Sequence, residues 1–440
     1  MAQQSRSPGL SGQAFEPRRA SVSDAASIHG RRILETLLEG YTGHTAVTLW
    51  DDSYIRGDTG ADGELNFAQP AALRELILHP DLVRMAENYL HGAIEVHGSM
   101  DAAFDLVDFL EGRDIGGLER TRLLARALRL PSSNIRRPFL QRRARATVQD
   151  NTVETIAHHY DVSNDFYRLW LDPEMVYSCA YFQSPDQSLA DAQRDKLDYL
   201  CRKLRLRPDQ HLLDIGCGWG ALALWAARHY GVRVHGITLS EQQCQLAQDR
   251  VRAAGLEQRV CIELRDYRDL PDSTRYDRVV SVGMFEHVGI DNLPRYFATV
   301  KRVLAPGGLF LNHGITNDSG WVGSTTQRFI NRYVFPDGEL TRVSTVQELM
   351  EQAGFEIADV EGLRPHYALT LRHWLQRLEE QHDRLVAMVG ERLYRIWRLY
   401  LGGSAHYFRR GSLGVYQILA GHYYADQPLP LRRDDLYRSI

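Results

Sequence analysis

Two hydrophobic periods run through this chain, and the switches between them mark its elements. From His211 it reads HLLDIGCGWGALALWAARHYGVRVHGIT. An apolar run of strand length reaches Asp214, glycines follow at 216, 218 and 220, and a helical pattern carries Ala221 to Tyr230. After Gly231 a second strand-like run, VRVHGIT, begins. Strand, tight turn, helix and strand open a parallel α/β unit. Downstream, VCIELRDY and DRVVSVG read as the third and fourth strands. Leu293 to Leu304 predicts a helix with Leu293, Phe297, Val300 and Leu304 on one face, and APGG turns into the strand LFLNHGI. Thr345 to Gly354 predicts a helix stopped by its glycine, and FEIADVEGL a strand. Two long amphipathic helices are expected over Ala368 to Val389 and Arg392 to Leu401, with VYQILAG closing the sheet.

Upstream the pattern is weaker. Residues 1–27 are rich in Ser, Gln, Gly and Ala and are expected to be disordered. Residues 28–130 form a small α+β accessory domain: AVTLWDDSYIRGDTGADGELNFA reads as a short meander of strands. Helices are expected around Ala71 to Leu78, Asp81 to Tyr89 and Met100 to Gly112. Between Arg120 and Arg145 nine arginines and no acid are interleaved with leucines, running into a basic linker over 131–150. That stretch reads either as a solvated connection or as a basic amphipathic surface for anionic lipid. Nucleic acid is disfavoured by the net charge of −4 and the lack of a reading module. Residues 151–440 make the second, larger domain, which carries the glycine turn.

Composition adds little more. At 440 residues, 44% hydrophobic and 25% charged, the chain is an ordinary globular protein of two or three domains. No apolar run approaches the roughly 18 residues of a spanning helix, and the N-terminus carries no apolar signal core. Five cysteines without a C-x-x-C pair suggest a reduced, cytoplasmic protein without structural zinc.

The glycine turn admits two cofactors. GCGWGA can be forced onto the dinucleotide pattern, which wants an acid about 20 residues on. The chain offers Gly236 to Ser240 there, with no acid before Glu241. D-x-G-x-G-x-G led by Asp214 instead resembles the S-adenosylmethionine-dependent methyltransferases. The segment VETIAHHYDVSNDFYRLWLDPEMVYSCAYFQ, residues 153–183, is denser in Tyr, Phe and Trp than a surface helix needs. Together with DIGCGWG, TLSEQQ, SVGMFEHVG and LNHGI it resembles the cyclopropane fatty acid synthases and the mycolic acid cyclopropane synthases.

That resemblance implies a Rossmann-like α/β methyltransferase fold with helical insertions and S-adenosylmethionine as methyl donor. The substrate implied is an unsaturated phospholipid, whose cis alkene attacks the sulfonium methyl before a base closes the ring. Aromatic faces can stabilise the cation formed; Tyr177, Tyr181, Phe182 and Phe285 are candidates. The base implied is bicarbonate or carbonate, with Cys179, Glu286, His313, Ile315 (through its backbone) and Tyr367 as its ligands. Cofactor contacts are implied at Tyr177, Ser178, Asp214, Gly216, Cys217, Gly218, Gly220, Thr238, Leu239, Gln243 and Val282. Asp266, Tyr267 and Arg268 fall where the adenine edge would be read. Glu286, His287 and His313 match no zinc spacing, so no metal is expected. Relatives also imply peripheral contact with the inner face of the membrane and a homodimer. One departure is Ser404, in YLGGSAHYF, where many relatives carry cysteine; a nucleophilic thiol there is ruled out. Two alternatives stay open: a methyltransferase that leaves a methylene- or methyl-branched chain, and a noncatalytic lipid-binding relative.

Overall fold

The parallel strands expected around the glycine turn lie side by side. A computed structural model describes residues 24–56, 60–132, 163–317, 325–334, 339–426 and 428–437. Its N-terminal part contains α1 (Asp24–Leu37), β1 (Thr45–Leu49), β2 (Tyr54–Arg56), β3 (Gly63–Phe67), α2 (Pro70–Leu78), α3 (Leu82–Leu90), β4 (Glu95–Gly98), α4 (Met100–Gly112) and α5 (Gly117–Ala127). The sheet runs β2-β1-β3-β4, and β1 pairs β3 in parallel. It is therefore not the simple meander expected, because β2 returns to the outer edge of β1. Helix α1 begins inside the stretch expected to be disordered, burying Ile33, Leu34 and Leu37 against this core. Part of the arginine stretch is also folded: α5 packs its Leu123 and Ala127 into the same core. Residues 133–162, including the rest of that stretch and the start of the aromatic segment, lie outside the described residues.

The second part begins with α6 (Asn164–Trp170) and α7 (Leu189–Lys203). It continues with β5 (His211–Ile215), α8 (Ala221–Tyr230), β6 (Arg233–Thr238), α9 (Glu241–Ala253), β7 (Val260–Leu264) and β8 (Tyr276–Val282). Then come α10 (Leu293–Val303), β9 (Leu304–Asn317), α11 (Thr325–Tyr333), α12 (Val343–Gln352) and β10 (Phe355–Gly362). Last are α13 (Arg364–Glu380), α14 (His382–Val389), α15 (Glu391–Arg410) and β11 (Leu413–His422).

The large sheet runs β10-β11-β9-β8-β5-β6-β7, with β11 antiparallel to both of its neighbours. The last strand, expected to close the sheet, does so by entering between β9 and β10. From β5 the chain steps outward to β6 and β7, then crosses back to place β8 on the other side of β5. The crevice at the C-terminal ends of β5 and β8 is where such sheets bind ligands.

The helical roof differs from expectation. Three helices replace two, with breaks at Gln381 and Gly390, and α15 runs on through Gly402 and Gly403 to Arg410. Those glycines stay helical because α4 lies against them: a Cβ would come within 2.9 Å of Met100 at Gly402 and 3.1 Å of Phe104 at Gly403. Polar ties fasten the same seam. Arg398 donates to the carbonyls of Val96 (2.8 Å) and Gly98 (3.1 Å), and buried His406 pairs with Asp108 at 2.9 Å.

Candidate active site

The turn after β5 is built by left-handed glycines. Gly216, Gly218 and Gly220 have φ of 79°, 53° and 80°, a region where a side chain is strained. The amides of Gly216 and Cys217 both donate to the Ile237 carbonyl (2.9 and 3.0 Å), folding the loop over the end of β6. The aromatic segment is fastened to this loop. Trp219 Nε1 donates to Asn164 Oδ1 at 2.7 Å, and the Tyr167 ring centroid lies 5.1 Å from that of Trp219. Tyr177 packs 5.2 Å from Trp374 and 5.6 Å from Trp170. Asp172 accepts from the amides of Glu174 and Val176 (both 2.9 Å), Gln193 donates to the Ser178 carbonyl (2.9 Å), and Ala180 N donates to Thr370 Oγ1 (3.0 Å). Residues 172–175 thus form a tight turn, with Met175 at φ 53°, and residues 176–180 run on from it along the crevice.

Two joined cavities result. Tyr177, Ser178, Asp214, Gly216, Cys217, Gly218, Thr238, Leu239, Gln243, Tyr267 and Val282 line the first, a cofactor cavity. Gly220 does not; it starts α8, where a Cβ would sit 3.2 Å from Ala247. Asp266 and Arg268 pair with each other at 2.6 Å beside the cavity, which Arg265 lines instead. Thr238 Oγ1 donates to Gln243 Oε1 (2.8 Å), so two polar side chains occupy the end of β6 where a dinucleotide site would carry an acid. Cys179, Glu286, His313, Ile315 and Tyr367 all line the second cavity, an acceptor chamber. Of the four aromatic candidates only Tyr177 reaches it. Tyr181 stacks between Tyr199 and His366, Phe182 stacks on His373, and Phe285 is packed against the sheet. Tyr367, Tyr400 and Phe408 supply the other rings of the chamber.

Three residues that sequence reasoning missed set the electrostatics. Lys196 is fully buried on α7; its Nζ donates to Ser178 Oγ (2.9 Å), and both it and Asp214 line the cofactor cavity. Burial lowers its ammonium to about 8 against the pull of Asp172, and raises the Asp214 carboxyl to about 7 against the opposing charge of Lys196. The signal was a lysine on a helix face shared with Ala192, Leu197 and Leu200. Gln417, directly across β11 from His313, donates from Nε2 to His313 Nδ1 at 3.2 Å. The ring proton is thereby assigned to Nε2, which has no partner among the described residues. Tyr400 hydrogen-bonds both Tyr177 and Ser404. Burial pushes His313 well below the ordinary imidazole range and raises Glu286 to about 7. Glu286 Oε1 accepts from the Ile315 amide at 3.4 Å, while Oε2 is buried without a partner among the described residues. Burial also raises the Cys179 thiol far above its usual range, so it carries no thiolate.

The site fits S-adenosylmethionine: left-handed glycines leave backbone open to a carboxylate, and an unpartnered Asp214 oxygen faces the same cavity as a lysine. This sheet order with its glycine loop defines an S-adenosylmethionine-dependent methyltransferase. The chain belongs more narrowly to the mycolic acid cyclopropane synthetase family, whose model matches residues 147–418. It is 44% identical over 397 residues to a probable fatty acid methyltransferase of Pseudomonas putida, covering 89% of this chain and 95% of that one. It is 41% identical over 261 residues to the cyclopropane-fatty-acyl-phospholipid synthase of Escherichia coli K12, covering 59% of this chain and 66% of that one. The solved mycolic acid cyclopropane synthase CmaA1, complexed with SAH and CTAB, superposes with a TM-score of 0.59 at 35% identity, covering 61% of this chain and 97% of that one.

Proposed function

We propose that the chain transfers the methyl carbon of S-adenosylmethionine to the cis double bond of an unsaturated phospholipid acyl chain and closes it to a cyclopropane. The observation that carries this reading is the junction of the two cavities: Tyr177, Ser178, Gly283 and His287 line both. Bound S-adenosylmethionine supplies an electron-poor methyl carbon. Among the described residues the acceptor chamber supplies no activated thiol or serine, because Cys179 is a buried thiol and Ser404 hydrogen-bonds Tyr400. The acceptor therefore brings its electrons with it, as a π bond does. Leu371, Leu413 and Val415 with the rings of Tyr177, Tyr367 and Phe408 give that bond a dry slot. Those ring faces stabilise a developing carbocation by roughly 0.5–2 kcal/mol each.

Ring closure needs a base, and the described side chains of the chamber suit it poorly: burial raises Glu286 to about 7 and so works against its charged form, and His313 offers a proton rather than a lone pair. His313 Nε2–H, the Tyr367 hydroxyl and the unpartnered Glu286 Oε2 would instead hold bicarbonate, which supplies that base.

The decisive experiment adds phospholipid vesicles with cis-monounsaturated chains, follows S-adenosylhomocysteine release, and examines the lipid by mass spectrometry and by NMR for ring protons. A product of the right mass without ring protons would move the assignment to a branched chain, the reading favoured by the likeness to the Pseudomonas putida methyltransferase. No release at all would leave only a lipid-binding role. Vesicle docking falls to α5 and the turn that ends it, where Leu118, Arg122 and Ala125 on the helix and Arg129 just beyond it are all exposed. No helix among the described residues is long and apolar enough to cross a membrane.

A further inference from the structure

A third cavity opens beyond the acceptor chamber, and Ile330, Tyr400 and Ser404 line both. Its far walls are α3 and α4 of the accessory unit, through Met85, Ala86, Phe104 and Val107, facing Phe329 and Leu399. Among the described residues no charged side chain lines it, and its polar atoms belong to tyrosine and Ser404 hydroxyls and to backbone. Gly403 opens its wall, since a Cβ there would come within 3.1 Å of Phe104. The α3 and α4 residues lie outside the 147–418 stretch that the family model matches.

We infer that this cavity is a second acyl subsite, in which hydrocarbon from one side of the double bond lies between the accessory unit and α15. The inference rests on the acyl-chain reading above. Two observations select the occupant. The cavity adjoins the chamber across three shared side chains, Ile330, Tyr400 and Ser404, so an acyl chain reaching past them stays contiguous with the reacting group. Among the described residues its lining has no cation or dense donor set for a phosphate head group, which favours an alkyl chain. Each methylene withdrawn from water there strengthens binding roughly fourfold. The accessory unit therefore helps to select chain length, in addition to any role at the membrane surface.

The test uses the full chain with Val107→Phe, and with Ala86→Phe on the other helix in case the first variant fails to fold; retained S-adenosylhomocysteine affinity reports folding. Anionic vesicles carry cis-monounsaturated phospholipids in two series, one varying the carboxyl side of the double bond and the other the methyl side. The expected result is a loss of roughly tenfold or more in kcat/KM for the longest members of one series. The shortest members, and the whole of the other series, should stay within about twofold, and the affected series identifies the buried side. Equal loss across every chain, or no loss, overturns the subsite. Binding of the fluorescent polyene cis-parinaric acid separates this from failure of the reaction reading. If wild type binds the probe, the variants do not, and wild type still releases no S-adenosylhomocysteine, the subsite stands and the methyl-transfer reading falls.

Discussion

Replacing Glu286 by glutamine isolates one charge in a site otherwise made of neutral groups. The carboxyl is 5% exposed, keeps one long hydrogen bond from Ile315, and is raised by burial from 4.5 to about 7. A carboxyl whose native pKa exceeds its unfolded value binds its proton more tightly in the folded chain. Its contribution to stability is therefore full below the unfolded value and is lost as pH rises through about 7. The shift corresponds to about 3 kcal/mol, at roughly 1.4 kcal/mol per tenfold. Glutamine stays neutral throughout. Glu286→Gln should match wild type near pH 4.5 and exceed it by about 1–3 kcal/mol at pH 8, measured by urea unfolding across that range. Turnover should fall roughly 100-fold, as for loss of a proton-handling group, with unchanged S-adenosylhomocysteine affinity. A stability difference that does not vary with pH, or a variant that is less stable at pH 8, would refute the buried-charge account. Loss of cofactor affinity would make Glu286 part of the cofactor cavity instead.

Gln417→Leu removes the donor that fixes His313; kcat should drop, with a stability loss of about 1–3 kcal/mol for the acceptor left unpaired, and an unchanged pH-rate profile would count against the tautomer assignment. Lys196→Met should weaken S-adenosylmethionine binding at least tenfold by calorimetry, because Asp214 loses its neighbouring cation; wild-type affinity would make that lysine purely structural. Thiol reagents should label exposed Cys261 and leave turnover intact, since Cys179 is buried and fully protonated; inactivation that maps to Cys179 would contradict the proposed chemistry. Arg122→Glu with Arg129→Glu should reduce anionic-vesicle binding and flatten its salt dependence; binding that ignores both changes would remove α5 from the membrane face.

The glycine turn, the parallel strands and the helix after each were legible because local chemistry fixes them: Gly216 and Gly220 sit at positive φ, and the runs beside them have strand or helix period. Cys179, Glu286, His313, Ile315 and Tyr367 come together in one chamber from segments that are short motifs in the chain. What stayed hidden is tertiary. Nothing around Gln417 says that β11 enters between β9 and β10, so its pairing with His313 could not be read. Gly402 and Gly403 look like a helix stop until α4 is seen to need the space. Tyr181 and Phe182 share the density that marks Tyr177, yet they lie beyond the point where Thr370 holds Ala180 and stack on α13 histidines instead.

The late arrival of β11 bears on how the molecule is born. A ribosome that has released the chain only as far as α10 has delivered the pieces of the cofactor cavity, whereas His313 still awaits a strand made more than a hundred residues later. The residues of the cofactor cavity are therefore all made before the acceptor chamber is complete. A product shortened ahead of Leu413 should retain the nucleoside yet leave membrane lipids untouched.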